Sequence, residues 1–163
     1  TARLGAALGL RVLAYGPSRP DADFANAGAL RAASVDALLA EADIVSLHVP
    51  LTPGTRGLIG REQLARMKPE AVLINTSRGG LIDEAALYDA LASGHIAGAG
   101  LDVFVDEPVS PGHPLLALPQ VVATTHIAAG SLEAAVRIGI ANAESIIAAI
   151  DGHVPPHEVL ASR

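Results

Sequence analysis

The chain has 163 residues, a net charge of −6, 50% hydrophobic residues and only 2% aromatic residues. This length supports one domain with a sizeable core, which must be built from aliphatic side chains, as suits parallel strands covered by Ala-rich helices. Without a basic run, a nucleic-acid partner is not expected. The absence of Cys excludes disulfides, thiol catalysis and Cys-ligated metals, and it fits a reducing compartment. No apolar run reaches the length of a membrane span. We therefore expect a cytoplasmic protein without membrane association.

Apolar runs alternate with helical patterns along the chain. The predicted strands are residues 11–15, 43–49, 71–75, 97–103 and 121–125. The predicted helices are residues 1–10, 35–42, 61–67, 84–93 and 132–150, with one helical turn at 115–118 and an extended tail at 151–163. Ser34 and Ser131 are predicted N-caps, and Gly98 and Gly100 indicate that another group approaches their strand closely. Strands that alternate with helices in this way are typical of βαβ units, so the sequence predicts a parallel sheet with right-handed crossovers.

Polar side chains follow four of the predicted strands at the point where each strand ends. They are His48, then Asn75, Thr76, Ser77 and Arg78, then Asp102 with the nearby Glu107, and finally His126. The carboxyl ends of parallel strands meet at the same edge of a sheet, and ligands of open α/β folds bind there. The sequence therefore predicts one cleft that contains these side chains.

Arg78, Glu107 and His126 form the candidate catalytic set of this cleft. A guanidinium placed between a strand end and two glycines is suited to hold a planar carboxylate. Histidine transfers protons near neutral pH, and a carboxylate on its second nitrogen would fix the tautomer. Taken one at a time, each residue also has an ordinary structural interpretation: Arg78 as a surface arginine in a turn, His126 as a non-catalytic histidine, Glu107 as a solvated loop acid. Asp102 is equally able to cap the turn that follows it.

The remaining histidines and acids are weaker candidates. His95, His113, His153 and His157 fall in predicted turns or in the tail, so we expect them to be solvated. His48 precedes Val49 and Pro50, which indicates a wall of the cleft. Asp102, Asp106 and Glu107 lack further ligands nearby in the sequence, so no metal site is expected. Ser77 has no neighbouring base that would make it a nucleophile.

Four segments of the chain together resemble the D-isomer-specific 2-hydroxyacid dehydrogenases. They are residues 48–55 (HVPLTPGT), residues 75–84 (NTSRGGLIDE), residues 100–104 (GLDVF) with Glu107-Pro108, and residues 124–126 (TTH). Their order and spacing are those of the family, and the resemblance extends over essentially the whole chain. It implies a Rossmann-type parallel sheet with helices on both faces.

The resemblance also implies that the chain is a piece of a longer protein. The family combines a nucleotide-binding domain with a substrate (lid) domain, and residues 1–163 are similar to most of the nucleotide domain. The family's first strand and its G-x-G-x-x-G loop are expected before Thr1, and the helix at 1–10 is expected to follow that loop. We therefore interpret residues 1–163 as a partial NAD(P)-binding domain without the lid domain.

The resemblance assigns a role to each matching residue. Arg78 is expected to hold the substrate carboxylate and polarise its carbonyl, His126 to act as the acid/base, and Glu107 to be its partner. The implied reaction is hydride transfer between a nicotinamide and a D-2-hydroxy or 2-oxo acid such as glyoxylate or hydroxypyruvate. Cofactor contacts are expected from Ser18, Arg19, His48, Val49, Pro50, Thr55, Thr76, Ser77, Arg78, Asp102 and His126.

Two positions depart from the family pattern. Thr125 stands where Pro usually precedes the catalytic histidine, which changes the backbone restraint on residue 124. Gly16 stands where NAD-using members carry an acid that binds the ribose. Without that carboxylate a 2′-phosphate is not repelled, and Arg19 would be able to pair with it. Acceptance of NADP and continued use of NAD both stay open.

Three functional interpretations follow from the resemblance. The first is an oxidoreductase, and Glu107 favours 2-hydroxy acids over formate because related formate dehydrogenases carry Gln there. The second is a dinucleotide-sensing binding protein similar to the family's corepressors, which retain the same residues. The third is a nucleotide-binding module that docks to a separate chain. A homodimer is expected through the nucleotide domain, with the Ala-rich helices and residues 113–118 as candidate contacts.

Overall fold

The computed structural model describes residues Thr1–Pro156, and the predicted tail beyond them, including His157, lies outside the described residues. The chain divides into two compact units, the first comprising residues 1–125 and the second beginning at His126. The strands are β1 (Leu13–Ala14), β2 (Leu30–Arg31), β3 (Ile44–Leu47), β4 (Val72–Asn75), β5 (Gly98–Leu101) and β6 (Val121–Ala123). The helices are α1 (Ala2–Ala7), α2 (Asp21–Asn26), α3 (Val35–Glu41), α4 (Arg61–Arg66), α5 (Glu84–Ala92) and α6 (Leu132–Ile150), with 3₁₀ turns at Gly79–Leu81 and Pro114–Ala117.

The first unit contains a four-stranded parallel sheet in the order β3-β4-β5-β6. Leu47 pairs with Asn75 and Asn75 pairs with Leu101, so the carboxyl ends of these strands are level with one another. Strands that are consecutive in the chain are neighbours in the sheet, and helices connect the first three of them. This is the parallel α/β architecture that the sequence predicted.

The core of the first unit is almost entirely aliphatic. Leu39 of α3, Leu73 of β4 and Leu87 of α5 are each 0% exposed. Leu64 of α4 and Leu91 of α5 are 1% exposed and extend the same cluster. Full burial of one leucine contributes about 2 kcal/mol relative to an exposed side chain. Burial of these leucines therefore stabilises the packing of the helices against the strands. This packing holds the ends of the strands in position.

The predicted helix boundaries in this unit have identifiable caps. The Ser34 hydroxyl accepts a hydrogen bond of 3.0 Å from the Ala37 amide at the start of α3, which confirms the predicted cap. Asp83 accepts one of 3.0 Å from the Ala86 amide and begins α5. Gly94, which ends that helix, has φ +73°, a conformation that glycine adopts without a steric penalty.

The sequence analysis was wrong about the region between Gly16 and Ser34. It contains α2 and β2, neither of which was predicted. β2 pairs in parallel with β1 in a separate two-stranded sheet, so the predicted single sheet is in fact two sheets. A strand of two residues leaves no alternating apolar pattern, and α2 has six residues after Pro20, too few for a helical period to stand out.

The lengths of several strands and the close approach expected at Gly100 were also predicted incorrectly. The strands expected at 43–49, 97–103 and 121–125 are shorter in the structure, at Ile44–Leu47, Gly98–Leu101 and Val121–Ala123. Gly98 meets the predicted close approach, since a Cβ there would lie 3.0 Å from the Gln120 carbonyl oxygen. At Gly100 a Cβ would make only ordinary contacts of 3.8 Å with Ile74.

The second unit is dominated by α6. Ser131 caps it as predicted, its hydroxyl accepting a hydrogen bond of 3.1 Å from the Ala134 amide. No residue of α6 is buried, and Leu132 and Ile150 at its ends are each 78% exposed. After α6 the chain makes a turn at Gly152, with φ +73°, where the sequence predicted an extended tail. None of the helices within residues 1–156 has the length and apolarity needed to cross a bilayer.

Candidate active site

The carboxyl ends of β3 to β6 are joined to one another by hydrogen bonds beyond the regular ladder. The Ser77 hydroxyl donates to the Leu47 carbonyl at 2.7 Å, linking the end of β4 to that of β3. The Asp102 amide donates to the Asn75 carbonyl at 3.0 Å. The Thr124 hydroxyl donates to the Asp102 carboxylate, which is 3% exposed. Within the first unit, the predicted polar strand ends therefore share one edge.

Asn75 organises the turn that carries Arg78. Its side chain is 1% exposed; its Oδ1 accepts from the Ser77 amide at 3.0 Å and its Nδ2 donates to the Arg78 carbonyl at 2.9 Å. The Arg78 side chain is exposed, and its Nη1 donates to the Ser77 carbonyl at 2.6 Å. The buried amide thus closes the turn and holds the guanidinium at the sheet edge. The sequence analysis treated Asn75 only as one polar residue of the strand end.

Gly79 brings the turn of Arg78 into direct contact with the segment that follows β5. A Cβ at Gly79 would lie 2.0 Å from the Phe104 carbonyl carbon and 2.3 Å from the Val105 nitrogen. No side chain fits between these two backbones, so only glycine permits this packing. The main effect of Gly79 is therefore this close approach of two backbone segments.

Glu107 holds the turn in which it lies. Its side chain is exposed, but Oε1 accepts a hydrogen bond of 3.1 Å from the Phe104 amide. The next amide, that of Val105, donates to Glu84 Oε1 at 2.8 Å. Two carboxylates therefore accept hydrogen bonds from two consecutive amides. The interpretation of Glu107 as a purely solvated acid is incomplete.

Two of the histidines that were expected to be solvated are instead partly buried. The side chain of His113 is 22% exposed and its Nε2 lies 3.2 Å from Glu84 Oε2. The Phe104 ring packs edge-on against it, with ring centroids 5.4 Å apart. His95 is half-buried, with Nε2 3.1 Å from the Leu64 carbonyl oxygen. Both lie in turns, as predicted, but other elements cover these turns, and local sequence carries no signal of such cover.

His48 and the loop after it form the neighbouring part of the edge. Burial lowers the pKa of His48, and its Nε2 lies 2.9 Å from the Ser46 hydroxyl. Thr55 closes the loop: its hydroxyl donates to the Pro50 carbonyl at 2.6 Å and accepts from the Thr52 amide at 2.8 Å. Val49 is half-buried and Pro50 is exposed. The Thr55 side chain thus stabilises the conformation of this loop through hydrogen bonds to its backbone.

Gly16 and Arg19 line a depression of about 350 Å³ beside the end of β1. Arg19 is 74% exposed and its Nη1 lies 3.8 Å from Asp23 Oδ2. A Cβ at position 16 would lie 3.3 Å from Cγ of Arg19, so glycine leaves room for the arginine to fold over this wall. Ser18, the other predicted contact here, is exposed.

His126 is separated from the end of β6 by Thr124 and Thr125, and it begins the second unit. Its φ is +59°, and among the described residues no other non-glycine residue has a positive φ. This left-handed conformation is uncommon outside glycine and is concentrated at functional positions. The sequence did not predict this conformation, because residue 126 is not a glycine, the residue that usually indicates a positive φ. Over the part of the chain that the structure describes, no group of three or more His, Asp or Glu side chains is arranged to hold a metal ion.

Comparison with known proteins gives consistent matches. The chain is 48% identical over 158 residues to the glyoxylate reductase of Korarchaeum cryptofilum, covering 97% of this chain and 47% of that protein. It superposes on the NAD+ complex of D-lactate dehydrogenase from Lactobacillus jensenii with a TM-score of 0.87 and 35% identity, covering 99% of this chain and 51% of the other. An acyclic imino acid reductase in complex with NADPH and D-Arg gives a TM-score of 0.86 and 33% identity, covering 98% and 49%.

The chain thus spans about half the length of these proteins. Residues 1–128 match the family model described as "D-isomer specific 2-hydroxyacid dehydrogenase, NAD binding domain". Because this match includes the sheet, the turn of Arg78 and the strand that leads to His126, the chain belongs to the D-isomer specific 2-hydroxyacid dehydrogenase family.

Proposed function

We propose that the protein interconverts 2-oxo acids and D-2-hydroxy acids, such as glyoxylate or hydroxypyruvate, by hydride transfer with a nicotinamide dinucleotide. The observation that carries this proposal is the turn of Arg78. A buried amide and a glycine in direct backbone contact hold an exposed guanidinium at the carboxyl edge of a parallel sheet. Such a fixed guanidinium binds a planar carboxylate through two parallel hydrogen bonds.

Residues 1–163 are proposed to be the larger part of the nucleotide-binding domain of a longer polypeptide. The coverage of about half of each solved relative supports this division. The remaining polypeptide would supply the substrate (lid) domain and the glycine-rich phosphate loop. Proposals for the intact protein include a cytoplasmic location and a homodimer formed through this domain. Of the predicted dimer contact at 113–118, Leu115 is 0% exposed within its own chain, which leaves Leu116 and the Ala-rich helices as candidates.

The residues present fit a bound dinucleotide. The depression at Gly16 and Arg19 lies at the end of β1 and is suited to the adenosine ribose. At the strand ends, Thr76, Ser77 and the buried Asp102 offer hydroxyls and a carboxylate for a polar ring substituent, and His48, Val49, Pro50 and Thr55 border the same edge. The bound nicotinamide supplies the hydride to C2 of the acid, or receives it in the reverse direction.

The chain's own residues would handle charge and protons. Arg78 binds the carboxylate and polarises the neighbouring carbonyl, which stabilises the oxygen as negative charge develops on it. His126 donates a proton to that oxygen in reduction and accepts it in oxidation. Glu107 is proposed as the partner of His126, as the family resemblance implies, and would select the tautomer of its ring.

NADP use is proposed alongside NAD use. No acid stands at position 16, so a 2′-phosphate meets no strand-end carboxylate. The Arg19–Asp23 contact is long, at 3.8 Å, and exposed, so Arg19 can leave it for a phosphate at small cost.

The test uses the intact gene product. Loss of NADH and of NADPH absorbance is followed with glyoxylate, hydroxypyruvate and pyruvate, beside His126→Ala and Arg78→Gln. We expect turnover that disappears in His126→Ala, and a raised KM for the acid in Arg78→Gln with unchanged thermal unfolding. Cofactor binding without turnover of any acid would contradict the proposal and favour a dinucleotide-sensing, corepressor-like protein.

A further inference from the structure

Glu84 connects three parts of the first unit. It is the first residue of α5, its Oε1 accepts from the Val105 amide at 2.8 Å, and its Oε2 lies 3.2 Å from His113 Nε2. The side chains of Glu84 and His113 are 20% and 22% exposed. This pair is therefore shielded, whereas six further ion pairs each have at least one partner that is more than 40% exposed.

The surroundings of His113 determine which of its nitrogens carries the proton. Nδ1 is buried and has no hydrogen-bond partner among the described residues. A proton there would be a buried donor without an acceptor, which is unfavourable. The proton therefore lies on Nε2, and the ring donates it to Glu84. One carboxylate of α5 thus receives two donors, one from the turn after β5 and one from the turn before the second 3₁₀ segment.

The hydrogen bond from the Val105 amide to Glu84 also affects the orientation of Glu107. The peptide unit between Phe104 and Val105 packs against Gly79. The Val105 amide points to Glu84, and the Phe104 amide points to Glu107. If the Val105 amide were released, this peptide would keep its contact with Gly79 but lose a hydrogen bond that fixes its orientation, and the Phe104 amide that orients the Glu107 carboxylate would be less firmly placed.

We propose that Glu84 and His113 are positioning residues that act through Glu107. They hold the turn at residues 104–107 so that the Glu107 carboxylate keeps the orientation its role requires. This inference rests on the proposed function, in which Glu107 is the partner of His126. Neither Glu84 nor His113 contacts substrate or cofactor in this scheme.

The first test is a double-mutant cycle in the intact gene product with glyoxylate. We expect Glu84→Ala to lower kcat about tenfold, while KM and the dissociation constant of NADPH stay within about twofold. Glu84→Gln should recover part of the loss, because its amide oxygen still accepts from Val105. In a Glu107→Ala background, Glu84→Ala should lower kcat no further. An equal loss in both backgrounds would mean general damage to the fold and would overturn the inference.

Glu62→Gln is the matched control, since Glu62 is an exposed glutamate in the first turn of α4. It should leave kcat unchanged. Should Glu84→Ala fail to fold, Glu84→Gln and His113→Phe replace it in the cycle. His113→Phe keeps a ring against Phe104 and removes the donor to Glu84. We therefore expect a smaller loss of kcat than in Glu84→Ala, and no loss in the Glu107→Ala background.

A second measurement separates this inference from the proposed function. The hydrogen-exchange rate of the Val105 amide measures the strength of its hydrogen bond to Glu84, whether or not the protein turns over an acid. We expect exchange to accelerate about tenfold in Glu84→Ala and to stay unchanged in Glu62→Gln. Wild-type protein without turnover would refute the proposed function; an unchanged Val105 exchange rate in Glu84→Ala would overturn the inference itself.

Discussion

The two ends of the candidate site are built in opposite ways. At the Arg78 end, a buried Asn75, a backbone contact at Gly79 and the carboxylate of Glu84 hold the turns in place. At the Arg19 end, the charged groups are exposed and joined by a contact of 3.8 Å. Reaction chemistry needs fixed distances, whereas recognition of a ribose or phosphate can tolerate adjustment. The comparison teaches that substitutions of the residues that hold the turns at the first end should affect folding and turnover together, whereas substitutions at the second end should affect only cofactor choice.

The largest expected effect is that of Gly79→Ala. The new methyl group would overlap the Phe104–Val105 backbone, so the two turns must separate, at a cost of about 3 kcal/mol in the free energy of unfolding. Urea denaturation of the intact protein measures it. Gly112→Ala is the control, because nothing lies within 4 Å of a Cβ there. If Gly79→Ala were as stable as this control, the rigid contact at the Arg78 end would be disproved.

Asn75→Ala should have the next largest effect. It leaves the Ser77 amide and the Arg78 carbonyl without their partner, so the free energy of unfolding should fall by about 2 kcal/mol. The KM for the acid should rise as well, because Arg78 is no longer held. Urea denaturation and steady-state kinetics together check this. A rise in KM without a loss of stability would show that Asn75 serves the substrate directly rather than through the turn.

At the opposite end, Arg19→Ala should leave stability unchanged and alter cofactor choice. Loss of one exposed charge near a phosphate should raise the KM for NADPH about tenfold and leave that for NADH unaltered. Arg11→Ala provides the control, since Arg11 also forms an exposed ion pair, with Glu41 at 2.9 Å. A strong NADH preference that Arg19→Ala does not change would end the NADP proposal.

The smallest expected effect concerns pH. Burial lowers the pKa of His48 below its ordinary value of 6.5, so the neutral ring is favoured in the folded state. Its contribution to stability is therefore present above that value and is lost as the pH falls from 6.5 toward the lower folded-state pKa. His48→Gln should flatten the decline in unfolding free energy between about pH 7 and about pH 5.5. A decline that His48→Gln leaves unchanged would contradict this assignment.

There is a physical reason why some of the predictions were confirmed and others were wrong. The long apolar runs and the capping serines were interpreted correctly, because strand period and cap chemistry act within a few residues. The histidines were not: His113 sits in a turn, as predicted, yet Glu84 and Phe104 cover it. The partners are 29 residues and 9 residues away along the chain, and no local pattern encodes such contacts. The short α2 and β2 were missed for a different reason, since elements of six and two residues leave no recognisable period in the sequence.

By itself the sequence determined the parallel α/β class and the placement of Arg78, Asp102 and Glu107 after successive strands, because alternation of apolar runs and helices permits few other arrangements. It also carried the four family motifs. Only the tertiary structure decided what holds those residues in place. The contact at Gly79 and the shielded pair of Glu84 and His113 form between segments that meet through folding. Their partners are chosen by packing geometry, which depends on the whole core rather than on neighbouring residues.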